Sequence, residues 1–149
     1  KLAPGDYVGT IVRDKSVVKG SASDVVHRAF VAVKEGRDNA KAAVRDGVEG
    51  KAVHQCSCDA LEQHGFETNT SAEVPYGFIH GTGHGVGLQI HEAPRVSSAD
   101  NILRSGMVVT IEPGLYYPEW GGMRLEDMLA VTDDGSDCLT TVDTYLEIP

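Results

Sequence analysis

His80-Gly81-Thr82-Gly83-His84-Gly85-Val86-Gly87, with His91 shortly after it, gathers three of the chain's six histidines into one glycine-rich run. Acidic residues follow downstream, Glu112 in Ile111-Glu112-Pro113-Gly114 and Glu126 in Arg124-Leu125-Glu126-Asp127. A neutral imidazole and two carboxylates make a mixed nitrogen and oxygen set suited to a divalent ion such as manganese, cobalt, zinc or iron, and such an ion can activate a water.

Strand parity tests whether these residues can meet. If 78–84 is extended, His80 and His84 point the same way, while Gly81 and Gly83 leave the other side open to a close neighbour. Over 86–91, Val86, Leu88 and Ile90 form an apolar side, so Gln89 and His91 share the polar one. Over 107–112, Val109 and Ile111 pack one way and send Thr110 and Glu112 the other. Over 124–131, Leu125, Leu129 and Val131 alternate against Arg124 and Glu126, and parity turns Asp127 away. A fifth extended run covers 144–148. Four of these runs can deliver imidazole, carboxylate and guanidinium to one sheet face.

Upstream of the run the period is helical. Residues 21–24 offer cap residues, and Val26, Phe30, Val33, Ala40 and Val44 form a stripe that predicts a helix over 24–46, ended by Gly47. A second amphipathic segment predicts a helix over 51–64, with Val53, Cys56 and Ala60 on one face and a stop at Gly65. Helices followed by a series of strands imply an α+β fold with a mostly antiparallel sheet.

Composition narrows the class of protein. With 149 residues, 41% of them hydrophobic, the chain suits one globular domain over 1–149. No run approaches the roughly 20 apolar residues of a spanning helix, so no membrane partner is expected. A net charge of -9 disfavours a phosphate backbone, so no nucleic acid partner is expected either. The chain opens without a signal-peptide pattern, and three cysteines are too few for a secreted disulfide framework, so a cytoplasmic location is expected.

Plainer readings compete at several positions. Polar residues opposite an apolar strand face are also what the solvated side of an antiparallel sheet looks like; three histidines amid glycines argue for chemistry instead. Cys56 and Cys58 lie two apart on a helix and share no face, so they read as buried or idle thiols rather than a metal clamp. Trp120, Tyr116 and Tyr117 suit a pocket wall and edge packing equally well.

The motifs His80 to Gly87, His91-Glu92-Ala93-Pro94, Gly106 to Gly114 and Gly121-Gly122-Met123-Arg124-Leu125-Glu126-Asp127 together resemble those of the pita-bread metallopeptidases, in the style of Xaa-Pro aminopeptidases and Xaa-Pro dipeptidases (prolidases). The resemblance implies a curved, mostly antiparallel sheet with helices on its convex face. It also implies hydrolysis of an N-terminal peptide bond before proline, a peptide or dipeptide substrate, two divalent ions with manganese foremost, and a homodimer. His84, Glu112 and Glu126 would be metal ligands, with Glu126 bridging two ions and Glu112 beside the attacking water. His91 would contact the substrate and handle protons at the scissile amide. His80 would help hold the residue at the cleaved bond, and Arg124 would orient the acidic ligands and contribute to substrate binding.

Upstream the pattern departs. Members carry two further aspartates, the second in a motif resembling Asp-x-Thr-Arg-Thr before a Val-Val-x-Gly stretch. Aligning on Ile11-Val12-Arg13 puts Thr10 at that place, aligning on Val17-Val18-Lys19-Gly20 puts Val12 there, and a small gap makes it Asp14. The first aspartate would fall near or before Lys1, so the N-terminal portion of the fold is expected to be missing. With three ligands at most one ion is expected, weakly held, and this chain alone is expected to be slow or inactive. Two other classes share the fold: creatinase-like hydrolases that work without metal through histidine acid-base chemistry, and non-catalytic modules that bind peptides or proteins.

Overall fold

A computed structural model describes residues 18–148. Thr10, Val12 and the candidate ligand Asp14, the three placements of the second aspartate position, lie outside them. The chain order is β1 (Val18–Lys19), α1 (Asp24–Ala43), α2 (Gly50–Gln63), β2 (Gly83–Gly85), β3 (Glu92–Val96), β4 (Val108–Ile111), β5 (Gly114–Tyr117), β6 (Gly121–Arg124), β7 (Asp127–Val131), β8 (Ser136–Cys138) and β9 (Glu147–Ile148). Strands β3-β2-β4-β7-β8 form one five-stranded sheet, antiparallel at every pairing. Strands β5 and β6 make a separate antiparallel pair, and β1 lies parallel to β9.

Both expected helices form. Helix α1 buries Ala29, Ala32, Val33 and Ala40, and α2 buries Val53, Ala60 and Leu61, as the periodicity requires. The helices meet where the Ser57 hydroxyl donates to the Gly36 carbonyl at 3.1 Å. Helix α1 ends at Ala43 rather than Asp46. Val44 turns extended to bury its side chain in the core, and the amides of Asp46 and Gly47 bond the carbonyls of Thr132 and Leu103 instead of the preceding turn. Gly47 keeps a positive φ of 76°, marking the turn that follows the helix rather than its last residue.

The alternation on the central strands sorts core from site. Val109, Ile111, Leu129 and Val131 form one buried cluster with Ala40 of α1, Val44 just beyond its end and Val53 of α2, so the helices cover that side of the sheet. A second cluster joins Ala29, Ala32 and Val33 of α1 and Leu61 of α2 to Leu115 and Met123 of the β5–β6 pair. Full burial of a Val, Leu or Ile side chain contributes about 1.5–3 kcal/mol, so these clusters dominate the stability of the sheet and its backing.

Four extended runs need correction. Residues 86–91 form a loop: Leu88 is 96% exposed and Ile90 45%, so their alternation marks no buried face. The loop turns back on Glu92, whose carboxylate accepts the Gln89 amide at 3.1 Å and occupies the place where a Cβ on Gly87 would stand. Residues 78–84 are irregular until β2 begins at Gly83. The run 124–131 is divided at Leu125 and Glu126, its first part pairing with β5 and its second with β4. The last run shrinks to Glu147–Ile148. No helix among the described residues is long and apolar enough to cross a membrane.

Candidate metal and catalytic site

Strand β2 carries His84, and its approach to β4 depends on Gly83. A Cβ there would collide with the Thr110 carbonyl, so only glycine lets the strands come this close. The Thr110 hydroxyl lies 3.0 Å from the His84 amide nitrogen, from which it accepts, and donates to Glu112 Oε1 at 3.0 Å. The Glu112 amide donates to the Thr82 carbonyl at 2.6 Å. Two threonines thus lock the histidine strand to the glutamate that follows β4.

The result is a contact between His84 Nε2 and Glu112 Oε1 at 3.0 Å. On the far side of the ring, Nδ1–H donates to the Gly85 carbonyl at 3.0 Å, which aims Nε2 into the site, where without an ion it donates its own proton to Glu112. Burial opposes the charged form of His84, but the bonds to Glu112 and Gly85 and the charges of Glu112 and Glu126 outweigh it, so its pKa sits above the ordinary value. Glu112 behaves in the opposite sense: burial raises it, yet the bonds from His84 and Thr110 and the charges of His84 and His80 hold it below its ordinary range.

A cavity of about 380 Å³ opens over this pair, lined by His80, His84, His91, Glu112, Arg124 and Arg95, among others. His91 arrives from the end of the 86–91 loop, its ring 4.5 Å from that of His84, and not from a strand face. His80 is held at both nitrogens: Nδ1 lies 2.7 Å from the Gly81 carbonyl and Nε2 3.1 Å from the Tyr116 hydroxyl. An Nδ1–H proton together with a Tyr116 O–H donor satisfies both contacts. The site also includes residues that sequence reasoning missed. Arg95 is the cross-strand partner of His84, and cross-strand partners share a sheet face, so its presence follows from a register that only the structure supplies. Ser97 lines the cavity two residues further on.

Parity is right that Asp127 turns away from the site. Asp127 turns to the helices, where its Oδ2 lies 2.6 Å from Lys41 Nζ and 3.5 Å from Arg37 Nε. Glu126, also buried, acts electrostatically on His84 and on Tyr116. Of the aromatic residues with two readings, Tyr116 belongs to the site. Tyr117 and Trp120 stack on each other at 5.4 Å and pack against the core.

The donor chemistry fits a divalent cation in part. His84 Nε2, once an ion displaces its proton, and the ionised Glu112 carboxylate beside it are half of a nitrogen and oxygen ligand set. Among the described residues no three His, Cys, Asp or Glu side chains form a group able to hold an ion. The cysteines are free and stand apart from this site, Cys56 on the Ala52 carbonyl and Cys58 against His54.

Comparison with known proteins agrees with this architecture. The family model for metallopeptidase family M24 matches residues 5–133. The chain is 35% identical over 133 residues to an Xaa-Pro dipeptidase of Pyrococcus furiosus, a match covering 89% of this chain and 36% of the relative. It is 38% identical over 135 residues to the Xaa-Pro dipeptidase of Pyrococcus horikoshii, again covering 89% and 36%. Among solved structures, an Xaa-Pro dipeptidase from Bacillus anthracis superposes with a TM-score of 0.81 at 32% identity, over 90% of this chain and 36% of that one. A prolidase from Pyrococcus horikoshii gives 0.79 at 36% identity, over 89% and 36%. The fold is therefore the α+β pita-bread fold, and the chain belongs to metallopeptidase family M24. It spans about a third of the length of the curated relatives it matches, 36% in both cases.

Proposed function

We propose that the cavity is the hydrolytic centre of a metal-dependent peptidase that cleaves an N-terminal Xaa-Pro bond, as a dipeptidase or an aminopeptidase. The observation that carries this reading is the 3.0 Å contact of His84 Nε2 with Glu112, with Nδ1–H held by the Gly85 carbonyl so that Nε2 is the nitrogen left for an ion. His84, Glu112 and Glu126 would hold the cation, manganese foremost or else cobalt, zinc or iron, with carboxylates from outside the described residues completing a two-ion site. When bound, the metal supplies a water of lowered pKa and a positive charge for the developing oxyanion.

The protein's own groups do the rest. Glu112 stays a carboxylate because its pKa is held down, so it can take a proton from the attacking water. His91, at the cavity edge beside His84, is placed to donate a proton at the leaving amide. His80, fixed by Gly81 and Tyr116, forms a wall against the residue at the cleaved bond. Arg124 and Arg95 give the cavity two cationic groups that suit a peptide carboxylate. A volume near 380 Å³ accommodates a dipeptide-sized ligand. The three free cysteines support a cytoplasmic setting. The family likeness supports a homodimer.

The test is hydrolysis of Xaa-Pro dipeptides and of longer Xaa-Pro peptides by the full-length protein, before and after chelation and with manganese restored. Turnover lost to the chelator and recovered with the ion is the expected result. Chelator-resistant turnover would point to a histidine acid-base route instead, and absence of turnover with metal present to a binding module. Activity confined to dipeptides would identify a dipeptidase.

A further inference from the structure

His54, half-buried on α2, has no part in the roles above, yet it is tied to the back of the same cavity. Its Nδ1 lies 2.8 Å from Thr82 Oγ1. Its ring packs 5.3 Å from Phe78, which meets His80 edge-on at 5.2 Å. Its Nε2 faces Cys58 Sγ at 3.6 Å. Thr82 is fully buried, lies between His80 and His84 in the chain, and accepts the Glu112 amide on its carbonyl at 2.6 Å. One imidazole therefore bonds the segment that carries both histidines and, one bond further on, reaches the residue that carries the carboxylate.

The donor directions are consistent along this chain of contacts. Burial, and after it the charge of His80, lowers the His54 pKa, so the ring is neutral at pH 7 with a single N–H. Burial, and after it Glu62 and Asp59, pushes the Cys58 thiol up to about 11, so the sulfur keeps its proton. A thiol proton directed at Nε2 leaves the ring proton on Nδ1, and Nδ1–H then donates to the Thr82 hydroxyl.

We infer that His54 is a positioning residue that pins Thr82 from behind the sheet and so sets the spacing of His84 and Glu112. This rests on the reading of the cavity as a metal-dependent hydrolytic centre. A histidine that merely fills space would affect stability alone. A positioning histidine also changes how firmly the Glu112 amide is held on Thr82 and the affinity for metal.

The experiment combines amide hydrogen exchange at Glu112, whose N–H bonds the Thr82 carbonyl, in the metal-free, full-length protein with calorimetric titration of manganese into wild type, His54→Leu, His54→Asn, His54→Gln, Thr82→Val and the His54→Leu/Thr82→Val double variant. The Asn amide reaches where Nδ1 stood, whereas Gln reaches nearer Nε2. The expected result is faster exchange of the Glu112 amide in His54→Leu and its return in His54→Asn. Manganese affinity should fall about 10-fold in His54→Leu and in Thr82→Val, the usual effect of removing a partner of a ligand, and no further in the double variant. Unchanged Glu112 exchange with unchanged affinity in folded His54→Leu overturns the inference. If that variant does not fold, the Asn and Gln variants decide, and equal behaviour in both overturns it. If wild type binds no manganese, the metal reading fails by itself, and the Glu112 exchange alone decides the positioning role.

Discussion

Glu126 and Asp127 are consecutive buried carboxylates with opposite fates. Asp127 faces the helices and meets Lys41 and Arg37, so its charge is neutralised within the scaffold. Glu126 instead adds its charge to the bonds from Glu112 and Gly85 that raise the pKa of His84, and to the burial and the Glu112 charge that raise that of Tyr116. The same division runs along β4, with Val109 and Ile111 packed under the helices and Thr110 bonded to His84 and Glu112. One face of the sheet is held by burial and ion pairing, and the other gathers the histidines and Glu112 around the cavity. Substitutions on the first face should cost stability, and those on the second should cost activity.

The largest effect should come from the site face. His91→Ala in the full-length protein should lower kcat on the order of 100-fold, as when one transition-state donor is removed, while manganese affinity and melting temperature stay near wild type. Steady-state kinetics with calorimetry separates these; an equal loss in metal affinity would assign His91 to the ligands instead.

On the helix face, Leu129→Ala should destabilise by about 2–5 kcal/mol, the cost of a large-to-small change in a packed core. Asp127→Asn should cost about 2–4 kcal/mol, below the upper range for a broken buried pair because Lys41 keeps a quarter of its side-chain surface in water. Denaturant titration measures both. The turnover of the molecules that remain folded should change little in Leu129→Ala, and a large loss there would mean that the two faces are not separable.

A smaller effect concerns pH in the metal-free protein. The raised pKa of His84 contributes stability that is complete below its ordinary 6.5 and is lost as pH rises through the raised value. The lowered pKa of Glu112 contributes stability that is complete above its ordinary 4.5 and is lost as pH falls through the lowered value. Their joint contribution is therefore full between those two ordinary values and declines on either side. Denaturation midpoints across pH should show this window in wild type and flatten in Glu112→Gln. The smallest effect is chemical: Cys58, pushed up to about 11, should alkylate more slowly at pH 8 than exposed Cys138, as mass spectrometry of labelled peptides would show.

What could be read from the residues alone follows the same division. The stripes of α1 and α2 and the alternation of β4 and β7 were legible because burial writes a period into the chain. The association of His84 with Glu112 was legible from parity on β4 and from the motif, and so was the turning away of Asp127. The 86–91 loop was not, because its alternation of Val86, Leu88 and Ile90 looks like a strand until the Glu92 side chain closes the turn. His91 thus reaches the cavity by a loop rather than by strand parity. Arg95, Ser97 and His54 were missed for another reason. Their places depend on strand register and on how α2 crosses behind the glycine run, and neither leaves a local pattern.

The most direct test of the central claim is a calorimetric manganese titration of the full-length protein and of its alanine variants at His84, Glu112, Glu126, Cys56 and Cys58. The metal reading predicts binding in wild type and in both cysteine variants, and its loss at His84, Glu112 and Glu126. Loss of metal in the cysteine variants with retention at Glu126 would contradict it.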